Sequence, residues 1–220
     1  MPFSERVHPS EHPLVRHNVG LLRDATTDPV GFRTLIGEVS TLLGYEATRD
    51  LRLQEMEVAT PLARAAAHRL TDRVGLFPIL RAGLGMVDGL WRLVPDAPVW
   101  HIGLYRDHRT LQPVQYYNAL PPTPDVQVCL VLDPMLATGG SAVATVSILK
   151  DWGATRIKFV GVIAAPEGIR ALTTAHPDVD IHVAAIDDHL TPPPAHPRDP
   201  PEGYIVPGLG DAGDRQFGTG

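Results

Sequence analysis

Five apolar residues in a row, Val128–Leu132, are followed at once by an acid, Asp133. A short loop comes next, Pro134-Met135-Leu136-Ala137, and ends in Thr138-Gly139-Gly140-Ser141. An unbroken apolar run of this length reads as a strand buried on both faces, the signature of a parallel sheet. Beyond Ser141 the period changes. Ala142, Val146 and Leu149 recur at helical spacing, and the run stops at Trp152-Gly153. In open α/β sheets, ligands bind where such a loop leaves the carboxyl end of a strand and feeds a helix.

The loop's composition narrows the ligand. Gly139 and Gly140 leave the backbone bare, so its N–H groups can approach a phosphate. Thr138 and Ser141 add hydroxyl donors, and the helix amino end adds partial positive charge. Asp133 would repel phosphate, but an acid beside a phosphate cradle suits a hydroxylated sugar or a divalent cation. Taken alone, TGGS reads better as a Gly-Gly turn into a capped helix than as a ligand site. Joined to the strand before it and the helix after it, the loop reads as a phosphate-plus-sugar site. No Gly-Lys-Ser/Thr follows, so it is not a Walker loop.

Apolar strand, acid, then T-G-G-S resembles the phosphoribosyl-pyrophosphate (PRPP) loop of the type I phosphoribosyltransferases. The wording DPMLATGGS is similar to the uracil-specific branch of that family. Further segments carry the same resemblance: HPLVRHNVGLLR, YEAT, PILRAGLGM, AAPEGI, AHPDV and GYIVPGLGDAGDRQFG. Together they cover about residues 12 to 218. The resemblance implies an α/β fold in one domain over 1–220, a parallel sheet flanked by helices. It also implies an arm over 51–72, protruding from the N-terminal half, and a C-terminal hood over 187–220.

The chain's 220 residues are 44% hydrophobic, enough for one sizeable core. Apolar stretches are too short to span a bilayer, and the polar, proline-rich start does not read as a signal peptide. Cys129 is the sole cysteine and falls in a buried strand, so no disulfide forms within the chain and a reducing cytoplasm fits. A net charge of −6 without a Lys/Arg block disfavours nucleic acid as the main partner.

Along the chain, Asp28-Pro29 marks a helix start. Phe32, Leu35, Ile36, Val39, Leu42 and Leu43 then fall on one helical face. Leu51, Leu53 and Val58 suggest extended structure, and the alanine-rich stretch 62–70 reads as helix. The run 74–80 is a second apolar strand whose Pro78 belongs near its end. Arg81-Ala82-Gly83-Leu84-Gly85 then forms a turn into another helix. Arg81 alone reads as a turn arginine, but the resemblance places it in a pyrophosphate loop. Residues 99–104 and Ile157–Ala164 read as strands, and a helix follows the latter to about His176. A last strand ends at Ile186. His176 and His182 lack metal-ligand spacing and read as structural. The proline-rich tract 191–203 resembles an inserted loop.

What the resemblance implies about chemistry is specific. Uracil and PRPP would give UMP and pyrophosphate in pyrimidine salvage, with Mg²⁺ arriving on PRPP rather than on direct protein ligands. Arg81, Arg106, Asp133 and Asp211 would be the catalytic groups. PRPP would be held by these and by Pro134, Met135, Leu136, Ala137, Thr138, Gly139, Gly140 and Ser141. Uracil would meet Ile205, Gly210, Asp211 and Ala212. Residues 106–120 would form a mobile cover in which Tyr116 and Tyr117 either pack or touch ligand. Ala119 departs from the family, which commonly has a lysine there. The family expectation is a homodimer or higher oligomer, and GTP activates some relatives. Two other readings share the fold: an RNA-binding attenuation regulator, opposed by the charge balance, and a non-catalytic nucleotide-binding relative, hinted at only by Ala119.

Overall fold

The apolar run Val128–Leu132 is a strand in which every residue is buried. Its alternate positions feed two separate cores. Val128, Leu130 and Leu132 join one apolar cluster, and Cys129 and Val131 join the other. A strand packed on both faces has no position left for a polar side chain, which is why its sequence shows no alternation.

The computed structural model describes residues 5–106, 113–196 and 198–219; of residues 104–106, 113–116 and 118 it describes the backbone alone. In chain order the elements are β1 (Val7–Pro9), α1 (Pro13–Arg23), α2 (Pro29–Ala47), β2 (Leu53–Ala59), β3 (Arg64–Leu70), β4 (Val74–Pro78), α3 (Leu84–Trp91), β5 (Ile102–Arg106) and β6 (Pro113–Asn118). There follow β7 (Val128–Leu132), β8 (Met135–Leu136), α4 (Gly140–Trp152), β9 (Ile157–Ala164), α5 (Pro166–Ala175), β10 (Asp180–Ile186), β11 (His189–Leu190), β12 (Ile205–Val206) and α6 (Ala212–Phe217).

The central sheet is parallel, in the order β1-β10-β9-β7-β4. Isolated parallel bridges from Leu76 to Val99 and from Ile79 to Ile102 carry it on toward β5. One face packs on α1, α2 and α3 through Val19, Phe32, Ile36, Leu43 and Leu90. The other packs on α4 and α5 through Val146, Leu149, Ile169 and Leu172. Asp28 caps α2, accepting from the Gly31 N–H at 2.7 Å, and Gly153 ends α4 in a left-handed conformation, φ 105°. Pro78 is the last residue of β4. Among the described residues, no helix is long and apolar enough to cross a membrane.

Two segments differ from the reading of the sequence. The stretch 62–70 is not a helix but the return strand of a hairpin, β2 with β3, registered from Leu53↔Leu70 to Ala59↔Arg64. Alanine's helical preference is worth only tenths of a kcal/mol per residue, less than a full ladder of backbone bonds. Thr60 fixes the turn: its N–H donates to the Ala63 carbonyl at 2.8 Å, and its Oγ1 accepts from the Ala63 N–H at 3.0 Å. Residues 99–104 are not one strand. Pro98 and Trp100 bond to Leu76, after which Ile102–Arg106 pairs antiparallel with β6, a strand the sequence did not suggest. Of the expected cover, 107–112 lie outside the described residues. The proline-rich loop, finally, has a closed neck, because Thr191 bonds through backbone and hydroxyl to Pro201, Gly203 and Tyr204.

Asp72 anchors the base of the hairpin. Its side chain is wholly buried and accepts from the Arg52 N–H at 2.9 Å, Arg52 Nε at 2.7 Å and Arg156 at 2.6 Å. These bonds, Arg52's first, hold its carboxyl well below the usual carboxylate range. A depressed acid stabilises the fold above its unfolded pKa, near 3.8, and stops doing so as pH falls. Asp72→Asn should therefore cost about 2–3 kcal/mol at neutral pH, below the full cost of a broken buried pair because both arginines reach solvent. In urea titrations the gap to wild type should close below about pH 4.

Candidate functional site

Two loops leave the carboxyl ends of adjacent strands β4 and β7. After β7, the loop does not float: the Pro134 carbonyl accepts from the N–H groups of Val162 and Ile163, each at 3.0 Å, and β8 pairs with the end of β9. Pro134 and Leu136 are buried, so they can meet a ligand only through backbone atoms. Gly139 has φ 83°, and a Cβ there would lie 2.8 Å from that of Ala171 and 2.9 Å from the Gly168 carbonyl. Packing against α5, not backbone approach to a ligand, accounts for this glycine. Gly140 is different, since a Cβ would meet nothing nearer than Thr138 Oγ1 at 3.9 Å. Gly139, the N-cap of α4, has no side chain to cap the helix, and the exposed Ser141 stands in its first turn, where the partial positive charge of the helix end collects.

The second loop starts with Ile79 and Leu80, which donate to the Leu132 and Ile102 carbonyls. The Leu80–Arg81 peptide is cis. Gly83 has no room for a side chain, because a Cβ would sit 2.3 Å from the Leu132 carbonyl oxygen. The turn thus lies directly against the strand that launches the first loop. Arg81 projects outward, its side chain more than half exposed. Its guanidinium lies 3.2 Å from Asp214 and 5.7 Å from the Phe217 ring centre. The Arg106 side chain lies outside the described residues.

The C-terminal segment closes the site. It turns at a cis Val206–Pro207 peptide, and Gly208 sits so tightly that a Cβ would be 2.1 Å from the Ile205 carbonyl. The buried Asp187 accepts from the Gly208 N–H at 2.8 Å and from Arg23 at 2.5 and 2.8 Å, while Arg23 also donates to the Gly208 carbonyl at 2.8 Å. Arg215 donates to the carbonyls of Leu22, Asp24 and Leu209 and lies over the Phe32 ring. Asp211 caps α6 through the Asp214 N–H at 2.9 Å and accepts from the Tyr204 hydroxyl at 3.3 Å. Burial, then the charge of Asp211, pushes the Tyr204 hydroxyl's pKa up.

These parts meet at one cleft of ≈ 250 Å³. Asp133, Met135 and Ala137 come from the loop after β7, Ala82 from the turn, and Ile205, Gly210, Asp211 and Ala212 from the C-terminal segment. Tyr204 also lines it, although the sequence had not singled it out. Among the described residues, the lining does not include Arg81 or the stretch 138–141. Arg81 borders the cleft through Ala82 and Asp214, and 138–141 continue the loop into α4. A larger cleft, ≈ 550 Å³, opens at the amino ends of β9 and β10, but its Lys158 is already bound to Asp50 and the Ala47 carbonyl. The ring nitrogens of its His182 are sealed from solvent. The smaller cleft holds the convergent chemistry.

Asp133 is the unusual group there. It accepts a long bond, 3.3 Å, from the Met135 N–H, and burial pushes its pKa up to about 7. The sign follows directly. A raised acid binds its proton more tightly in the folded state, so wild-type stability falls as pH climbs from about 4 to about 7 and is flat above. Asp133→Asn has no such titration. Without ligands it should gain on wild type by about 1–4 kcal/mol between pH 4 and pH 8 in chemical denaturation, the upper figure being the full shift.

The comparisons with known proteins agree with this architecture. A family model described as uracil phosphoribosyltransferase matches residues 9–219. A uracil phosphoribosyltransferase of Roseiflexus castenholzii is 65% identical over 98% of this chain and 100% of its own. One from Desulfitobacterium hafniense is 54% identical over 97% and 99%. Among solved structures, the AQ2163 protein of Aquifex aeolicus superposes with a TM-score of 0.87 at 34% identity, covering 97% of this chain and 98% of the other. On the family model and these relatives, the chain belongs to the uracil phosphoribosyltransferase family.

Proposed function

We propose that the protein transfers the phosphoribosyl group of PRPP to uracil, giving UMP and pyrophosphate. The observation that carries this reading is the convergence of three segments on one cleft. An acid with its loop, an arginine-bearing turn and the C-terminal backbone all meet there. Ile205 packs on the uracil ring, while main-chain groups of Gly210 and Ala212 read its carbonyl and imide edge. The loop Asp133–Ser141 takes ribose and the 5′-phosphate, with Asp133 and Asp211 toward the sugar hydroxyls.

The bond from ribose C1′ to uracil N1 forms as the bond to the pyrophosphate oxygen breaks. Positive charge develops on the sugar, as in glycoside chemistry, and negative charge leaves with pyrophosphate. Arg81, now on Asp214, swings to the leaving group, and Arg106 joins it. Uracil reacts as its N1 anion, having ionised in the site and given its proton to solvent, so catalysis is positioning and electrostatics with no dedicated general base. Two carboxylates with a tyrosyl oxygen fit a hard cation carried by the polyphosphate. Held there, Mg²⁺ would neutralise polyphosphate charge.

The hairpin β2–β3 supports self-association, since Leu53, Leu62 and Leu70 are exposed along it. We read it as a dimer contact in a cytoplasmic enzyme. GTP activation belongs to the same reading, and rates with and without GTP decide it.

Two measurements test the proposal. Cytosine places an amine donor where the site expects a carbonyl, so kcat/KM should fall about 10⁴-fold from uracil. Comparable use of cytosine or a purine base overturns the assignment. Arg106→Ala should lower kcat by about 10²–10³ with uracil affinity nearly intact, as for the loss of a donor aimed at developing charge. An unchanged kcat would remove Arg106 from the mechanism.

A further inference from the structure

Gln216 is fully buried near the end of α6, between the turn that carries Arg81 and the segment that lines the base side of the cleft. Its Nε2 donates to the Ala82 carbonyl at 3.1 Å and to the Ala212 carbonyl at 2.9 Å. Both partners are acceptors, so the amide can face only one way, and its two hydrogens are both committed. Ala82 and Ala212 each line the cleft. One side-chain nitrogen therefore ties together backbone from the two ligand-binding sides.

The other end of the amide shows that this link is held for geometry. Among the described residues, Oε1 is buried without a partner. An unpaired buried acceptor is destabilising, a cost that an apolar side chain of equal length would not carry. What glutamine adds is the pair of donors. The turn is shaped around it, since a Cβ on Gly85 would lie 1.6 Å from Oε1. The backbone of Gln216 is itself fixed to α2, with its carbonyl accepting from Arg33 at 2.6 Å.

We infer that Gln216 is a positioning residue that couples the base subsite to the pyrophosphate subsite. The inference rests on the uracil and PRPP reading above and adds the device by which the two ligands sense each other. Movement of Ala212 onto a bound base pulls on the same nitrogen that sets the Ala82 peptide and, beside it, Arg81. Coupling through a shared element is reciprocal, so each ligand tightens the other by the same factor.

Uracil and pyrophosphate cannot react with one another, so both can be held on the protein at equilibrium. Calorimetric titration of uracil, with and without saturating magnesium pyrophosphate, reads the coupling factor. Wild type should bind uracil at least about fivefold more tightly with pyrophosphate present. Gln216→Met keeps the length and loses both donors. Each ligand alone should then bind within about twofold of wild type while the coupling factor falls toward one. A merely structural glutamine would instead weaken both single-ligand affinities and leave the factor in place. Gly85→Ala attacks the link from the turn side by displacing the amide, and should lower the factor as well. It decides the matter should Gln216→Met fail to fold. A wild-type factor of one, or an undiminished factor in the folded variants, overturns the inference. Wild-type protein that binds pyrophosphate but no uracil overturns the functional reading itself, a separate failure visible before any variant is made.

Discussion

The buried pair of Arg23 with Asp187 is the interaction on which the site depends. Asp187 follows β10, Arg23 ends α1, and what they hold between them is the backbone of Gly208. An acid out of water costs several kcal/mol unless its lone pairs are filled, and here two arginine nitrogens and a backbone N–H fill them. The same bonds satisfy both polar groups of Gly208. Without that clamp, residues 205–213 would be a glycine-rich chain end, and one wall of the cleft would be missing. Chain ends usually fray. This one is tied down by Arg23, Arg215 and Arg33 to the helical layer behind it.

Much of the fold was legible because the signals were local. The apolar run of β7 states its own burial, Asp28-Pro29 marks the start of α2, and Pro78 can occupy a strand only at a point like its end. What stayed hidden was decided by pairing between distant residues. The alanines of β3 carry a helical preference that loses once β2 offers a full set of bonds. In the same way, β6 exists because β5 turns away from the sheet to meet it.

The site divides along the same line. Asp133, Ala137, Ile205, Gly210 and Ala212 were readable from motif wording, and the structure gathers them at one cleft. The side chains that hold those segments in place were not. Arg23 is 164 positions from Asp187, and Arg33 is 183 from Gln216. No spacing rule reaches so far. The faint signals were an acid placed just past β10 and an arginine repeated in each terminal segment. Tyr204 could have been found by asking what an aromatic hydroxyl does beside the acids of the tail.

Asp133 lines the cleft and Arg81 borders it, and the two charged groups stand in unlike surroundings. Burial dominates at Asp133 and favours its protonated form near neutrality. Arg81 has a cation's usual partner, but the partner is Asp214, a carboxylate of the C-terminal helix rather than of the loop. A ligand that brings phosphate to Arg81 displaces Asp214 from it. One that brings hydroxyls or a cation to Asp133 lets that acid ionise. Both changes fall on elements joined at the Gln216 amide.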